Sequence, residues 1–273
     1  CPVLVHAEDY QECACGIKTA KEKKRDGLNA WSESRSPASE VKSIIKISEF
    51  ARKYNSIIYF VHIGSEHALL QIKLEREKGT KIFVETCPHY LTLSYETQEG
   101  YLAKVMPPIR TQSDVNYVWE AINQNQINTI GTDHVANQLK LKTDGDDVWD
   151  ALAGFPGVGT LLPILLSEGV NKNKISLKQL VELTSNNASK IFGMKSKGNI
   201  EINYDADITL IDLKKEQKAN SELFGGFSDY LVYDGWMLKG WPVQTIVRGE
   251  TISEDFQVIG RRGFGKLVSR SLN

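Results

Sequence analysis

The sequence predicts an α/β fold, a parallel sheet making up about half of a (β/α)8 TIM barrel, with a small β region behind it. Three observations carry this. Short apolar runs end in His6, His62, His89 and Asp133. Stretches of helical periodicity separate at least three of them, and strand–helix alternation implies a parallel sheet. Polar, metal-capable residues close four successive runs, and barrels of this class gather catalytic side chains at the C-terminal strand ends. A doubly wound sheet also binds ligands there, but usually at one switch point.

The elements follow in order. Val3–His6 reads as a short buried strand, and residues 9–35 as a polar loop with helical pieces. Ser36-Pro37 opens a helix, with serine as N-cap and proline at the first helical position. Val41, Ile44, Ile45, Ser48 and Ala51 continue it at helical spacing. Ile57–His62 is a β-branched and aromatic run, a buried strand ending in histidine. Ser65–Lys78 is helical and stops at Gly79; Lys81–Thr86 is a strand running into Cys87-Pro88-His89. Ser113–Asn123 is helical, and Ile127–Thr132 is a strand before Asp133-His134. Thr160–Leu166, Leu177–Thr184 and Ala188–Phe192 read as closing helices. A full barrel takes ~250 residues and eight strands, so residues 1–195 supply roughly half of one.

Beyond Gly193 the period changes to two. Lys197–Ile202, Asp207–Asp212 and Thr245–Ile252 read as strands, the last with a turn at Arg248-Gly249. The expected organisation is a partial catalytic barrel over 1–196, a small β domain over 197–255 and a C-terminal arm over 256–273. The arm, Gly260–Lys266, is basic and glycine-rich, and is expected to be exposed and to pack on a neighbouring subunit.

Composition excludes several classes. The chain has 273 residues, 41% hydrophobic and 25% charged, too much apolar material for a disordered protein. Lys+Arg 33 against Asp+Glu 34 gives a net charge of -1, without the basic excess of a nucleic-acid binder. No apolar run reaches the ~18 residues of a membrane span; Gly157–Leu166 is broken by Pro163. The four cysteines make no disulfide framework. Cys13-Ala14-Cys15 lacks a second pair and is expected to be two reduced thiols on a loop. The chain opens at Cys1 without a methionine, as if cut into the middle of a fold; no signal peptide is visible, and a reducing, cytoplasmic home is the expectation.

His6, His62 and Asp133 offer two imidazoles and a carboxylate, a donor set that suits catalytic zinc with one position left for water. Bound zinc would bring its water toward a pKa of ~7. Asp133, kept ionised at rest by metal contact or hydrogen bonds, would take a proton from the attacking hydroxide and pass it to a leaving nitrogen. His89 and His134 are candidate donors to substrate or to the ligands, whereas His67 reads as a surface helix residue.

Nine stretches taken together resemble the cyclic-amide branch of the amidohydrolase superfamily: dihydropyrimidinase/hydantoinase, allantoinase and dihydroorotase. They are VHAED (5–9), FVHIGS (60–65), VETCPHYLTL (84–93), KVMPPIRT (104–111), IGTDH (130–134), GFPGVGTLLPILLSEGV (154–170), NNASKIFGM (186–194), KGNIEINYDADITLIDL (197–213) and TIVRGETI (245–252).

The resemblance implies a zinc-dependent (β/α)8 barrel with a small β-sandwich that opens a cyclic amide or imide. It makes His6, His62 and Asp133 the ligands from strands five, six and eight, with Asp133 also the proton shuttle. It places His89, Met106, Asn137 and Gly157 at the substrate. Two zinc ions are implied for the full-length enzyme. Their remaining ligands, a first-strand His-x-His pair and a carboxylated lysine, have no counterpart in this chain, which is therefore expected to be inactive alone. Dihydroorotases usually carry Asn at Met106 and His at Asn137, so the hydantoinase/dihydropyrimidinase type is the expectation. Dihydroorotase or allantoinase, and a non-catalytic dihydropyrimidinase-like scaffold, are the alternatives. The partners implied are a small cyclic amide and further copies of the chain in a dimer or tetramer, with no nucleic acid and no membrane.

Overall fold

A computed structural model of the chain describes residues 2–143, 145 and 147–271. They form two compact units, one of Pro2–Val158 with Phe227–Val232, the other of Gly159–Gly226 with 233–271.

The first unit is built on four parallel strands, β1 (Val3–Val5), β2 (Ile57–Phe60), β3 (Lys81–Thr86) and β4 (Thr129–Ile130), which lie side by side in sequence order. That order has no reversal and hence no switch point, which separates it from a doubly wound sheet. It is the order of consecutive barrel strands, but among the described residues the sheet stays open. Alternation sorts the side chains. Ile58, Phe60, Ile82 and Val84 are buried to 8% exposure or less on one face, while Tyr59, Phe83 and Glu85 point to the other.

Helices join the strands. Residues 9–35, expected as a loop with helical pieces, are two helices, α1 (Tyr10–Glu22) and α2 (Gly27–Ser34). Asp9 starts α1 by accepting from the Glu12 amide. Cys13 and Cys15 thus lie on a helix rather than a loop. Two residues apart there, they cannot share a face; Cys13 is buried and Cys15 exposed. The third helix, α3 (Pro37–Lys53), starts at Ser36 as expected. After β2 comes α4 (Glu66–Glu77), capped by the Ser65 hydroxyl; His67 on it is exposed. A short α5 (Pro88–Thr92) and then α6 (Gln112–Asn123) follow β3. Thr111 and Asp114 form a capping box at α6, and Asp114 also accepts from the Glu66 amide of α4. The last short helix of this unit is α7 (Leu139–Lys142).

The strand expected over Ile127–Thr132 is only two residues long. Glu85 crowds Gly131, where a Cβ would come within 2.6 Å of its carboxyl carbon, and at Asp133 the backbone turns left-handed (φ 47°).

The second unit begins with helical segments. α8 (Leu161–Ile164) widens into a π turn over Leu165–Val170. α9 (Leu177–Val181) passes through a π turn over Glu182–Asn186 into α10 (Asn187–Ile191). An antiparallel meander follows: β5 (Ile208–Lys218), β6 (Met237–Val247), β7 (Glu250–Glu254) and β8 (Gln257–Val258). Arg248-Gly249 turns β6 into β7 with φ of 48° and 80°, as the sequence predicts. Trp241, Leu238, Leu165 and Leu166 are fully buried at the core of this unit.

Lys197–Ile202, expected as a strand, is irregular. Its alternation presents Ile200 and Ile202 at 85% and 91% exposure, and no described strand pairs with it. Alternation alone does not make a strand without a ladder partner. After β8, residues 259–271 are irregular and largely exposed, and Phe264 lies under the Arg248 guanidinium at 4.2 Å.

Candidate active site

His6 directly follows β1, and His62 comes two residues after β2. Because β1 and β2 are adjacent and parallel, with Val5 opposite Phe60, the two imidazoles meet at the same sheet end. His6 Nδ1 lies 3.0 Å from His62 Nε2, the rings edge to face with centroids 4.7 Å apart. His62 is buried on a left-handed backbone (φ 43°), a conformation uncommon outside glycine. Burial, helped by the neighbouring His6, pushes its pKa down to about 4. Its Nδ1 is buried without a partner.

Asp133 occupies the corresponding place after β4, also with positive φ. It lies within electrostatic reach of His6. Burial raises its carboxyl to about 6, a rise His6 opposes. His89, on α5, is almost fully buried between Tyr90 and Phe155, with ring centroids 4.2 and 5.1 Å away. Burial, with His62 nearby, pushes its pKa to about 3, and its Nε2 has no partner.

The other expected substrate residues are more dispersed. Asn137 is buried; its Oδ1 accepts from the Tyr230 hydroxyl while Nδ2 is left unpaired. Met106 is 40% exposed. The Gly157 amide donates to His134 Nδ1 at 3.0 Å, and so does that of Val158 at 3.3 Å. His134 Nδ1 is therefore an acceptor, which leaves the proton of a neutral ring on Nε2.

Glu8, Arg35 and Glu85 escape a reading of the sequence alone. Glu8 accepts from His6 Nε2 at 2.8 Å and is forked by Arg35. Its carboxyl is 2% exposed; burial raises its pKa, but the bonds from His6 and Arg35 outweigh that and hold it below the usual carboxylate range. The signal was present: Glu8 is two residues past His6, the spacing that puts extended residues on one face. Glu85 accepts from the Tyr59 hydroxyl at 2.8 Å, and burial raises its pKa. A carboxylate directly after the apolar run Ile82–Val84, still within β3, was its signal. A cavity of about 700 Å³ opens beside His6, Glu8, Tyr10 and Arg35; it does not reach His62 or Asp133.

Zinc fits these residues in part. Two imidazole nitrogens, His6 Nδ1 and His62 Nε2, face each other at 3.0 Å, as two ligands of one cation would. Among the described residues, however, no three His, Cys, Asp or Glu side chains group closely enough to hold a metal. The described residues thus offer two donors where a catalytic zinc usually has three protein ligands.

No helix among the described residues is long and apolar enough to cross a membrane. Residues 16–252 match the amidohydrolase family. A dihydroorotase of Methanosphaera stadtmanae is 36% identical over 94% of this chain and 59% of its own length. An allantoinase of Rubrobacter xylanophilus is 31% identical over 94% of this chain and 57% of its own. The solved structure of an L-hydantoinase (dihydropyrimidinase) from Arthrobacter aurescens superposes with a TM-score of 0.94 at 30% identity, covering 98% of this chain and 60% of that one. The chain thus spans about three fifths of the length of these relatives. With a parallel sheet in barrel order, two histidines meeting at its C-terminal end and a match running through both units, the chain belongs to the amidohydrolase family.

Proposed function

We propose that the protein is a zinc-dependent hydrolase opening a cyclic amide or imide ring, of the hydantoinase/dihydropyrimidinase type. The observation that carries this is the 3.0 Å approach of His6 Nδ1 to His62 Nε2 at the C-terminal end of adjacent parallel strands. His6, His62 and Asp133 are the residues of this chain that would hold metal. The relatives' extra length leaves room for further ligands, in keeping with two ions and with this stretch being inactive by itself. Bound zinc would supply a water that ionises near neutral pH. Asp133 takes up a proton as the nucleophile adds and returns it to the departing ring nitrogen. His89, neutral in its apolar pocket, donates to a substrate oxygen, and Met106, Asn137 and Gly157 line the ring. The partners proposed are a small cyclic amide and further copies of the chain, in the cytoplasm.

Met106 supports the hydantoinase type, since a thioether cannot pair with a substrate carboxylate as an amide can. Dihydroorotase is the second reading, favoured by the 36% identity to the archaeal relative. The experiment is to purify the complete gene product with zinc and offer it hydantoin, dihydrouracil, dihydroorotate and allantoin, following ring opening by chromatography. Turnover of the first two is expected. Turnover of dihydroorotate alone would move the reading to its sibling. Absence of metal with no turnover of any ring would leave a non-catalytic scaffold.

A further inference from the structure

His6 uses both ring nitrogens. Nε2 faces the Glu8 carboxylate at 2.8 Å and Nδ1 faces His62 Nε2 at 3.0 Å. Glu8 is not free to swing away. Arg35 Nε donates to its Oε1 at 3.0 Å and Arg35 Nη2 to its Oε2, the bidentate fork that suits a guanidinium and a carboxylate. Arg35 is itself placed by α2, which it ends, with its amide on the Trp31 carbonyl and its guanidinium 5.2 Å from the Trp31 ring centroid. The Glu8 and Arg35 side chains are 2% and 12% exposed.

A forked carboxylate can only accept, so the proton between it and His6 sits on Nε2. In the neutral ring, Nδ1 is then a bare lone pair. The proton in the short contact to His62 must belong to His62 Nε2, which leaves His62 Nδ1 as the acceptor, the buried atom found without a partner.

We propose that Glu8, clamped by Arg35, is a positioning residue that locks His6 as its Nε2–H tautomer and keeps Nδ1 as a permanent cation-facing lone pair, while His62 holds a proton where the cation would sit. The second half rests on the reading of His6 and His62 as metal ligands. Taking up a cation then requires no change in His6, whereas His62 moves one proton from Nε2 to Nδ1, with none gained or lost. Ligand histidines held this way by a carboxylate typically lose 10–100-fold in metal affinity without it.

The test uses 15N-labelled chain without metal. Two-bond 15N–1H correlation spectra read the tautomer of each imidazole directly. The expected result is Nε2–H for both His6 and His62, with His6 becoming a mixture in Glu8→Ala and in Arg35→Met. A wild-type His6 protonated on Nδ1, or a spectrum unmoved by Glu8→Ala in a folded variant, overturns the proposal; the unmutated protein decides the first point whatever the variants do. Zinc affinity, read by competition with a chromophoric chelator, is expected to fall 10–100-fold in Glu8→Gln, and equal affinity overturns the positioning role. If the tautomers are as stated but the complete gene product takes up no zinc, the hydrolase reading fails while the tautomer lock stands.

Discussion

Two of the three proposed ligand residues, His62 and Asp133, sit on left-handed backbone just past a strand end. For residues other than glycine this conformation costs of order 1–3 kcal/mol, and it persists where the surroundings over-determine it, commonly at sites of function. Replacing the Asp133 carboxylate with an amide in the complete enzyme (Asp133→Asn) keeps the shape and removes the proton acceptor. Steady-state assays are expected to show a ~100-fold loss of turnover with most zinc retained by elemental analysis. Near-wild-type rates would remove Asp133 from the chemistry. His89 offers a pH-dependent test. Burial holds its folded pKa near 3, against about 6.5 when unfolded, so the unfolded state binds its proton first as pH falls. Its contribution to stability is complete above pH 6.5 and declines toward pH 3, by up to about 1.4 kcal/mol per pH unit. Urea unfolding at a series of pH values should therefore give a shallower acid slope for His89→Gln than for the wild type. Parallel slopes would mean that the ring is protonated without penalty.

At the scale of elements, the stretch after β4 is held by one buried ammonium. Lys142 is fully buried, and its Nζ donates to the carbonyls of Lys104, Leu152 and Gly154 at 2.8, 2.7 and 2.9 Å. The last of these carbonyls is next to Phe155, whose ring walls His89. Lys142→Met keeps the apolar stem and strips all three bonds. A buried group left unsatisfied costs ~1–3 kcal/mol, so the expected loss of unfolding free energy is about 3 kcal/mol or more by urea titration. A loss below about 1 kcal/mol would show that water replaces the ammonium. The caps and the strand texture were legible from the sequence. The Pro37 ring at the first turn of α3 and the Ser65 hydroxyl capping α4 start helices where the sequence places them, although the Ser36 hydroxyl makes no cap bond, and the β-branched and aromatic run of β2 is buried in the sheet. The knot around Lys142 was not legible, because a lysine among Leu139, Lys140 and Leu141 looks like any solvated helix residue until three carbonyls converge on it.

For the molecule as a whole, the open side of the parallel sheet matters most. Among the described residues β1 pairs on one side only, and Val3 and Leu4 are 52% and 54% exposed. An apolar strand with an unpaired edge is a template for pairing with other chains, and a lysine on it is a standard deterrent. The chain is expected to self-associate with rising concentration in sedimentation velocity runs, and Leu4→Lys to reduce this. A wild-type chain that stays monomeric throughout would show the edge to be covered or inert.

The sequence by itself determined that the sheet is parallel, that helices separate its strands, and that two histidines and an aspartate fall at strand ends, because periodicity and the residue types at strand ends are local properties of the chain. It also showed where the periodicity changes, although it overread Lys197–Ile202, whose alternation found no partner strand among the described residues. Only the tertiary structure decided that His6 and His62 touch nitrogen to nitrogen, that Glu8 and Arg35 stand behind them, and that burial shifts Asp133 and His89 in opposite directions from their ordinary pKa values. Those facts depend on which side chains meet across 27 to 56 positions of chain and on how much water reaches them, and neither is written in any short stretch of residues.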